Sequence, residues 1–170
     1  MVKLSEELLV RRSEIMRTEL RKMTEDEFDK YIEDFIPDYA KDLSDNFLLP
    51  SDLALEESRQ FMDNILPDKQ ESDGQSVYNI YSIEEEKNIG VIWYNIQPDS
   101  KKVFVFHILV YEDFREKGYA PSVLQQLESD MKNQGITSLG LSVFGNNPGA
   151  YNLYKKLGYN TASISMGKTI

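Results

Sequence analysis

The sequence contains no cysteine and a single histidine, and these two shortages remove most of the metal and redox chemistry open to an enzyme. Without a thiol there is no disulfide framework, no thiolate metal site and no cysteine nucleophile. One imidazole is too few to hold a zinc ion, so no metal is expected. No apolar run approaches the roughly 20 residues of a membrane span, and the opening Met1-Val-Lys-Leu-Ser-Glu-Glu7 lacks the apolar stretch of a secretory leader. A reducing, cytoplasmic setting with no membrane partner is therefore expected. Nine glycines and six prolines in 170 residues supply no low-complexity linker, and no internal repeat is present. One domain over residues 1–170 is the expectation.

What the chain does hold is enough apolar residues, 41% of the total, to bury a core without covalent staples. Its formal charge of −10 is unevenly spread. Residues 1–100 carry 24 acidic and 11 basic side chains, whereas residues 101–170 carry 5 acidic and 8 basic. The acidic part suits a cationic partner and the basic part an anionic one. Nucleic acid fits poorly, because a phosphate backbone calls for a broad basic surface. Gly167-Lys168-Thr169 imitates the end of a phosphate loop, but the first glycine of that motif would fall at Ala162. Neither Gly-x-Ser-x-Gly nor His-Glu-x-x-His occurs.

Hydrophobic periodicity predicts alternating strands and helices. A short extra helix is expected over 3–14 and a strand over Ile15–Lys22. Thr24-Glu-Asp-Glu27 is a capping box opening a helix that runs to about Asp45. Phe28, Tyr31, Ile32, Phe35 and Ile36 give it an apolar face, and Pro37 is expected to kink or split it. Pro50-Ser-Asp52 opens a second helix ending near Leu66-Pro67, and polar residues 68–74 read as a mobile loop. Strands over Ser76–Ser82 and Ile89–Ile96 form a hairpin through Glu84–Asn88. Val103–Val110, apolar on both faces, reads as a central strand. Then come a helix over Gly118–Asn133, a strand over Thr137–Phe144, a helix over Pro148–Leu157 with proline at its start, and a last strand over Tyr159–Lys168.

The turn Arg115-Glu-Lys-Gly118-Tyr-Ala120, between the central strand and the helix after it, has the chemistry of an anion cradle. Backbone N–H groups opening a helix point at the ligand together with the positive end of the helix dipole. Gly118 and the small Ala120 let a bulky group approach the backbone. Arg115-x-x-Gly118-x-Ala120 resembles the (Arg/Gln)-x-x-Gly-x-(Gly/Ala) signature of the GNAT superfamily of N-acetyltransferases. The resemblance continues through Asn147-x-x-Ala150-x-x-Leu153-Tyr154-x-x-Leu157-Gly158-Tyr159 and covers residues 89–167.

The resemblance implies a mixed α/β fold, a central, mostly antiparallel twisted sheet of about six or seven strands with helices on both faces. It implies acetyl-CoA as cosubstrate, its pyrophosphate held by Arg115, Glu116, Lys117, Gly118, Tyr119 and Ala120. The pantetheine arm would lie where the central strand and the strand over 137–144 splay apart, pairing with backbone near Leu109 and Val110. Asn147 would lie near the cofactor, and Tyr154 near its sulfur, where a hydroxyl supplies the proton for the departing thiolate. Asn147 reads equally as a helix N-cap.

The general base is less determined. His107 has a suitable pKa, but strict alternation puts Phe104, Phe106 and Ile108 on one face and Val105, His107 and Leu109 on the other. In the resembling family, bases on this strand fall at positions matching Phe104 or Phe106. Glu33, Asp34, Asp38 or a water chain are alternatives, and Trp93 reads as sheet packing or as a wall of the acceptor pocket. The expected activity is direct acetyl transfer to a small cationic amine or to a protein or peptide amine. The rival reading is an acyl-CoA-binding regulatory module without turnover. Acetyl against longer acyl groups, and monomer against homodimer, stay open.

Overall fold

The computed structural model describes residues 16–170; the helix expected over 3–14 lies outside them. The described elements are strands β1 (Thr18–Lys22), β2 (Gln75–Ser82), β3 (Lys87–Gln97), β4 (Lys102–Val110) and β5 (Ser138–Leu141), and helices α1 (Glu25–Phe47), α2 (Ser51–Ile65), α3 (Tyr119–Asn133) and α4 (Pro148–Lys156). They belong to two compact units. One comprises residues 16–22 and 77–139, the other residues 23–76 and 140–170.

The first unit holds most of a mostly antiparallel sheet of order β1-β2-β3-β4-β5, with β1–β2 and β3–β4 antiparallel. β3 is buried on both faces from Ile89 to Tyr94, which accounts for its near-continuous apolar sequence. Helix α3 packs against β1 and β4 through the buried stripe Tyr119, Val123, Leu124, Leu127 and Met131. Each of its fully buried aliphatic side chains contributes about 1.5–3 kcal/mol. Polar contacts fix the helix's position. Ser122 Oγ donates to the Met16 carbonyl at 2.7 Å, and the Tyr119 hydroxyl lies 3.0 Å from Ser82 Oγ in the interior.

Alternation along β4 is interrupted. Trp93 is opposite His107, but its neighbour Tyr94 is opposite Val105, so Phe106 is an extra residue, a β-bulge. Residues opposite one another in an antiparallel ladder share a face. Val103, Val105, Ile108 and Val110 therefore lie on one side, and Phe104, His107 and Leu109 on the other. Phe106 joins the second group, its ring stacked on Trp93 at 4.6 Å and edge-on to Phe104 at 5.0 Å. The face expected for His107 from strict alternation is thus corrected: it shares the side of Phe104 and Phe106.

In the second unit the capping box is present as predicted. Thr24 Oγ1 accepts from the Glu27 N–H at 3.2 Å, and Glu27 Oε2 accepts from the Thr24 N–H at 2.9 Å. Of the kink or split expected at Pro37, the split does not occur: α1 continues through it. Pro37 and Glu33, whose carbonyl loses its intrahelical donor, are both exposed, so that group lies on the solvent side of the helix. On the opposite side the buried Ser58 of α2 donates to the Ile36 carbonyl at 2.8 Å. Ala40, Leu43 and Ala54 form a small core with Tyr39, Leu49 and Leu55.

Two further expectations are corrected. Residues 68–74 are not a structureless loop: Lys69–Glu71 forms a 3₁₀ turn, and Lys69 Nζ lies 2.7 Å from Glu25 Oε1 and 3.0 Å from Asp29 Oδ1. Residues 159–168 form no strand. Residues 160–170 are exposed, and β-propensity makes no strand without a neighbouring edge to pair with. With that strand absent, the described sheet has five strands, below the number the resemblance implied.

Candidate active site

The turn between β4 and α3 has the backbone form of an anion cradle. A 3₁₀ turn, Glu112–Phe114, ends β4; Glu116 and Gly118 then adopt left-handed conformations, with φ of 61° and 87°. Alternating handedness of this kind points successive N–H groups to one side. Among the described residues, the N–H groups of Glu116 to Ala120 have no protein acceptor, and Gly118 caps α3 without a side-chain bond. Pro121 sits in the first turn, where its missing N–H costs nothing. A Cβ at Gly118 would meet only Met16 Cγ, at 3.9 Å, so the glycine is required by its φ and leaves the concave side clear.

The side chains around this turn do different work from the backbone. Arg115 Nε donates to the Val110 carbonyl at 2.9 Å, so the guanidinium is folded back on the end of β4. Lys117 Nζ is 3.7 Å from Glu85 Oε1, an exposed pair of little energetic weight. Lys117 and Lys87 place their ammonium groups 5.2 and 4.9 Å from the centre of the Phe114 ring. Tyr119 is almost fully buried and its hydroxyl is engaged with Ser82; only its main chain faces the cradle. Leu109 and Val110 lie opposite Val91 and Gly90.

His107 lies on the aromatic face of β4, and desolvation pushes its pKa down to about 4. Its imidazole is neutral throughout the physiological range. Trp93 is fully buried, so the packing reading of that residue is the one that fits.

In the second unit, Asn147 Oδ1 accepts from the Ala150 N–H at 3.1 Å, capping α4. Ala150, Leu153, Tyr154 and Leu157 are its half-buried residues, one stripe at helical spacing. Burial raises the Tyr154 pKa, so the phenol stays protonated at neutral pH. Its ring lies edge-on to Tyr159 at 5.8 Å. Glu33, Asp34 and Asp38 are exposed on α1. Asp42, not singled out in the sequence, is the carboxylate of that helix whose pKa is raised, by desolvation first and then by Asp45. The bulge at Phe106 and the return of Arg115 to Val110 have no signature in sequence spacing. Among the described residues no cluster of acidic and histidine side chains is arranged to hold a metal, and no helix is long and apolar enough to cross a membrane.

Residues 42–159 match the model of the acetyltransferase (GNAT) family. The chain belongs to the GNAT family. An uncharacterized N-acetyltransferase of Bacillus subtilis, YdgE, is 31% identical over 89% of this chain and 97% of its own length. The crystal structure of the putative acetyltransferase YycN from the same organism superposes with a TM-score of 0.84 at 26% identity, covering 91% of this chain and 99% of that one. PaiA N-acetyltransferase from Thermoplasma acidophilum, solved in complex with coenzyme A, shares the fold with a TM-score of 0.61 at 17% identity, covering 88% and 94%. The GNAT assignment makes the chain an enzyme, an N-acetyltransferase, and its mixed α/β architecture, with five strands among the described residues, is that of the family.

Proposed function

We propose that this GNAT enzyme, a single acetyltransferase domain over residues 1–170, transfers an acetyl group from acetyl-CoA directly to a primary amine in a ternary complex in the cytoplasm. The observation that carries the reading is the row of N–H groups from Glu116 to Ala120, which among the described residues have no protein acceptor, at the start of α3. Such a row suits a pyrophosphate. Arg115, held by Val110, shapes the turn and adds positive charge to it, while Lys117 extends the field. Leu109 and Val110 present strand backbone to the pantetheine arm, and Asn147 and Tyr154 serve its thioester end.

Three groups share the chemistry. Tyr154, kept protonated by burial, donates its hydroxyl proton to the departing sulfur. His107, neutral because desolvation holds it near pH 4, accepts a hydrogen bond from the attacking nitrogen. So weak a base does not strip a lysine-like ammonium of pKa about 10.4; it suits an α-amino group near 8, a fraction of which is already neutral at pH 7. The carboxylates of α1, Glu33, Asp34, Asp38 and Asp42, attract the cationic acceptor.

The test is a panel of polyamines, aminoglycosides, amino acids and peptides incubated with acetyl-CoA, read by thiol release and by the mass of acetylated product. Product from an amine with free thiol in equal amount supports the enzyme. Acetyl-CoA binding with no turnover on any class would favour the rival reading, a regulatory module.

A further inference from the structure

We propose that Asn46 is a positioning residue for the thioester end of this enzyme, acting through Asn146 on the helix that bears Tyr154; the proposal rests on the acetyl-CoA reading above. Asn46 lies in the last turn of α1. Its Nδ2 donates to the Asp42 carbonyl at 2.9 Å and to Asn146 Oδ1 at 3.1 Å, and its Oδ1 accepts from the Asn146 N–H at 3.2 Å. One carboxamide thus grips both the side chain and the main chain of a residue 100 positions later. Only a carboxamide offers a donor and an acceptor in this arrangement.

The gripped residue immediately precedes Asn147, whose side chain caps α4 at Ala150. Phe144, two residues before Asn146, lies against the rings of Tyr39 and Phe47 of α1, each at 6.1 Å. The short lead into α4 is therefore tied to α1 by two aromatic contacts and two hydrogen bonds. Anchoring matters here because α4 has nine residues and no fully buried side chain. A helix this short is unstable alone, and its packing leaves its placement weakly specified. Asn46 supplies the missing constraint, and Asn147 and Tyr154 inherit their positions from it.

The test titrates the intact chain by calorimetry with two probes, acetyl-CoA and adenosine 3′,5′-bisphosphate, which carries the nucleotide end without the arm. Asn46→Leu keeps the approximate volume and removes the bonds. It should weaken acetyl-CoA about tenfold, the scale of one or two net hydrogen bonds, and change bisphosphate affinity less than about twofold. Asn46→Asp, which retains an acceptor for the Asn146 N–H, should recover part of the loss. Should Asn46→Leu fold poorly by circular dichroism, Asn146→Ala, which removes only the side-chain bond, should give the same pattern at smaller size. Equal weakening of both probes would mean a general folding role and overturn the proposal, as would unchanged acetyl-CoA affinity. Wild-type protein that binds neither probe would remove the coenzyme reading itself, a separate outcome.

Discussion

Trp93 stands opposite His107 across the β3–β4 ladder, while the very next residue of β3, Tyr94, stands opposite Val105. Fitting Phe106 into that step turns His107 onto the face of Phe104 and Phe106. The sole imidazole therefore shares a surface with Phe104 and Phe106, the positions at which the family resemblance implies a base, although the sequence there reads as apolar. Deleting Phe106 should remove the bulge yet leave His107 opposite Trp93 on the face of Phe104, because Val105 and His107 then become neighbours and point to opposite sides. Turnover should survive that deletion in a folded variant but fall for His107→Phe even if acetyl-CoA still binds; wild-type turnover in the folded His107 variant would show that the imidazole is irrelevant to the chemistry.

His107 also sets a pH dependence of stability. Desolvation lowers its folded pKa to about 4, against about 6.5 in the unfolded chain. As pH falls, the unfolded chain takes up the proton first, so the contribution is fully present above about pH 6.5 and is lost as pH drops through 4. The conversion of about 1.4 kcal/mol per pKa unit puts the full loss at roughly 3 kcal/mol. Urea unfolding at neutral pH and at about pH 4.5 should give a smaller decline for His107→Gln than for the wild type; identical declines would place the effect elsewhere, in the carboxylates.

Gly90 is where the end of β4 comes too close for any side chain. A Cβ there would sit 2.1 Å from the Leu109 carbonyl oxygen and 3.1 Å from Val110 Cα. Because the obstacle is main chain, Gly90→Ala must push the strands apart. A loss of about 1–3 kcal/mol is expected, with weaker acetyl-CoA binding if Leu109 and Val110 present backbone to the pantetheine arm. Thermal unfolding and calorimetry on the same sample check both.

Much of this was legible from local signals. The capping box at Thr24, the proline opening α4 and the glycine ending the anion turn are short-range chemistry, and each stands where the residues put it. The strands from β2 to β4 follow from apolar runs broken by turn residues. What sequence periodicity could not carry was anything that depends on a distant partner. Residues 159–168 alternate well enough for a strand but meet no edge. Residues 68–74 look loose until Lys69 meets Glu25 and Asp29. Arg115, an obvious phosphate partner by charge, gives one nitrogen to Val110 instead, and a one-residue bulge at Phe106 inverts every inference from alternation beyond it.

Gly118 carries the anion turn with φ of 87°, a conformation that favours glycine. Gly118→Val should raise the acetyl-CoA dissociation constant at least about tenfold, which is about 1.4 kcal/mol, because a branched side chain disfavours the left-handed conformation that aims the N–H row. The variant is also expected to lose about 1 kcal/mol or more of stability from the same strain. Unchanged affinity in a folded variant, measured by calorimetry, would mean that this turn does not hold the cofactor.

Tyr154→Phe separates chemistry from packing. The substitution keeps the ring that lies edge-on to Tyr159 and removes only the hydroxyl, so the helix and its cap at Asn147 should be undisturbed. No side-chain hydrogen bond of the phenol is needed to hold α4, which is capped by Asn147 and closed by the Tyr159 N–H donating to the Tyr154 carbonyl at 3.0 Å. A general acid typically contributes about 100-fold to 10,000-fold. A thiolate leaves more readily than an alkoxide, so the lower end is expected, with acetyl-CoA affinity nearly intact. Because burial raises the phenol's pKa, its proton is kept through neutral pH, so the wild-type rate should rise as the acceptor amine loses its own proton near about pH 8 and fall only in stronger alkali, as the proton to be donated is lost. Full turnover in the Phe variant, with the chemical step shown to be rate-limiting, would falsify the assignment and leave Tyr154 a packing residue.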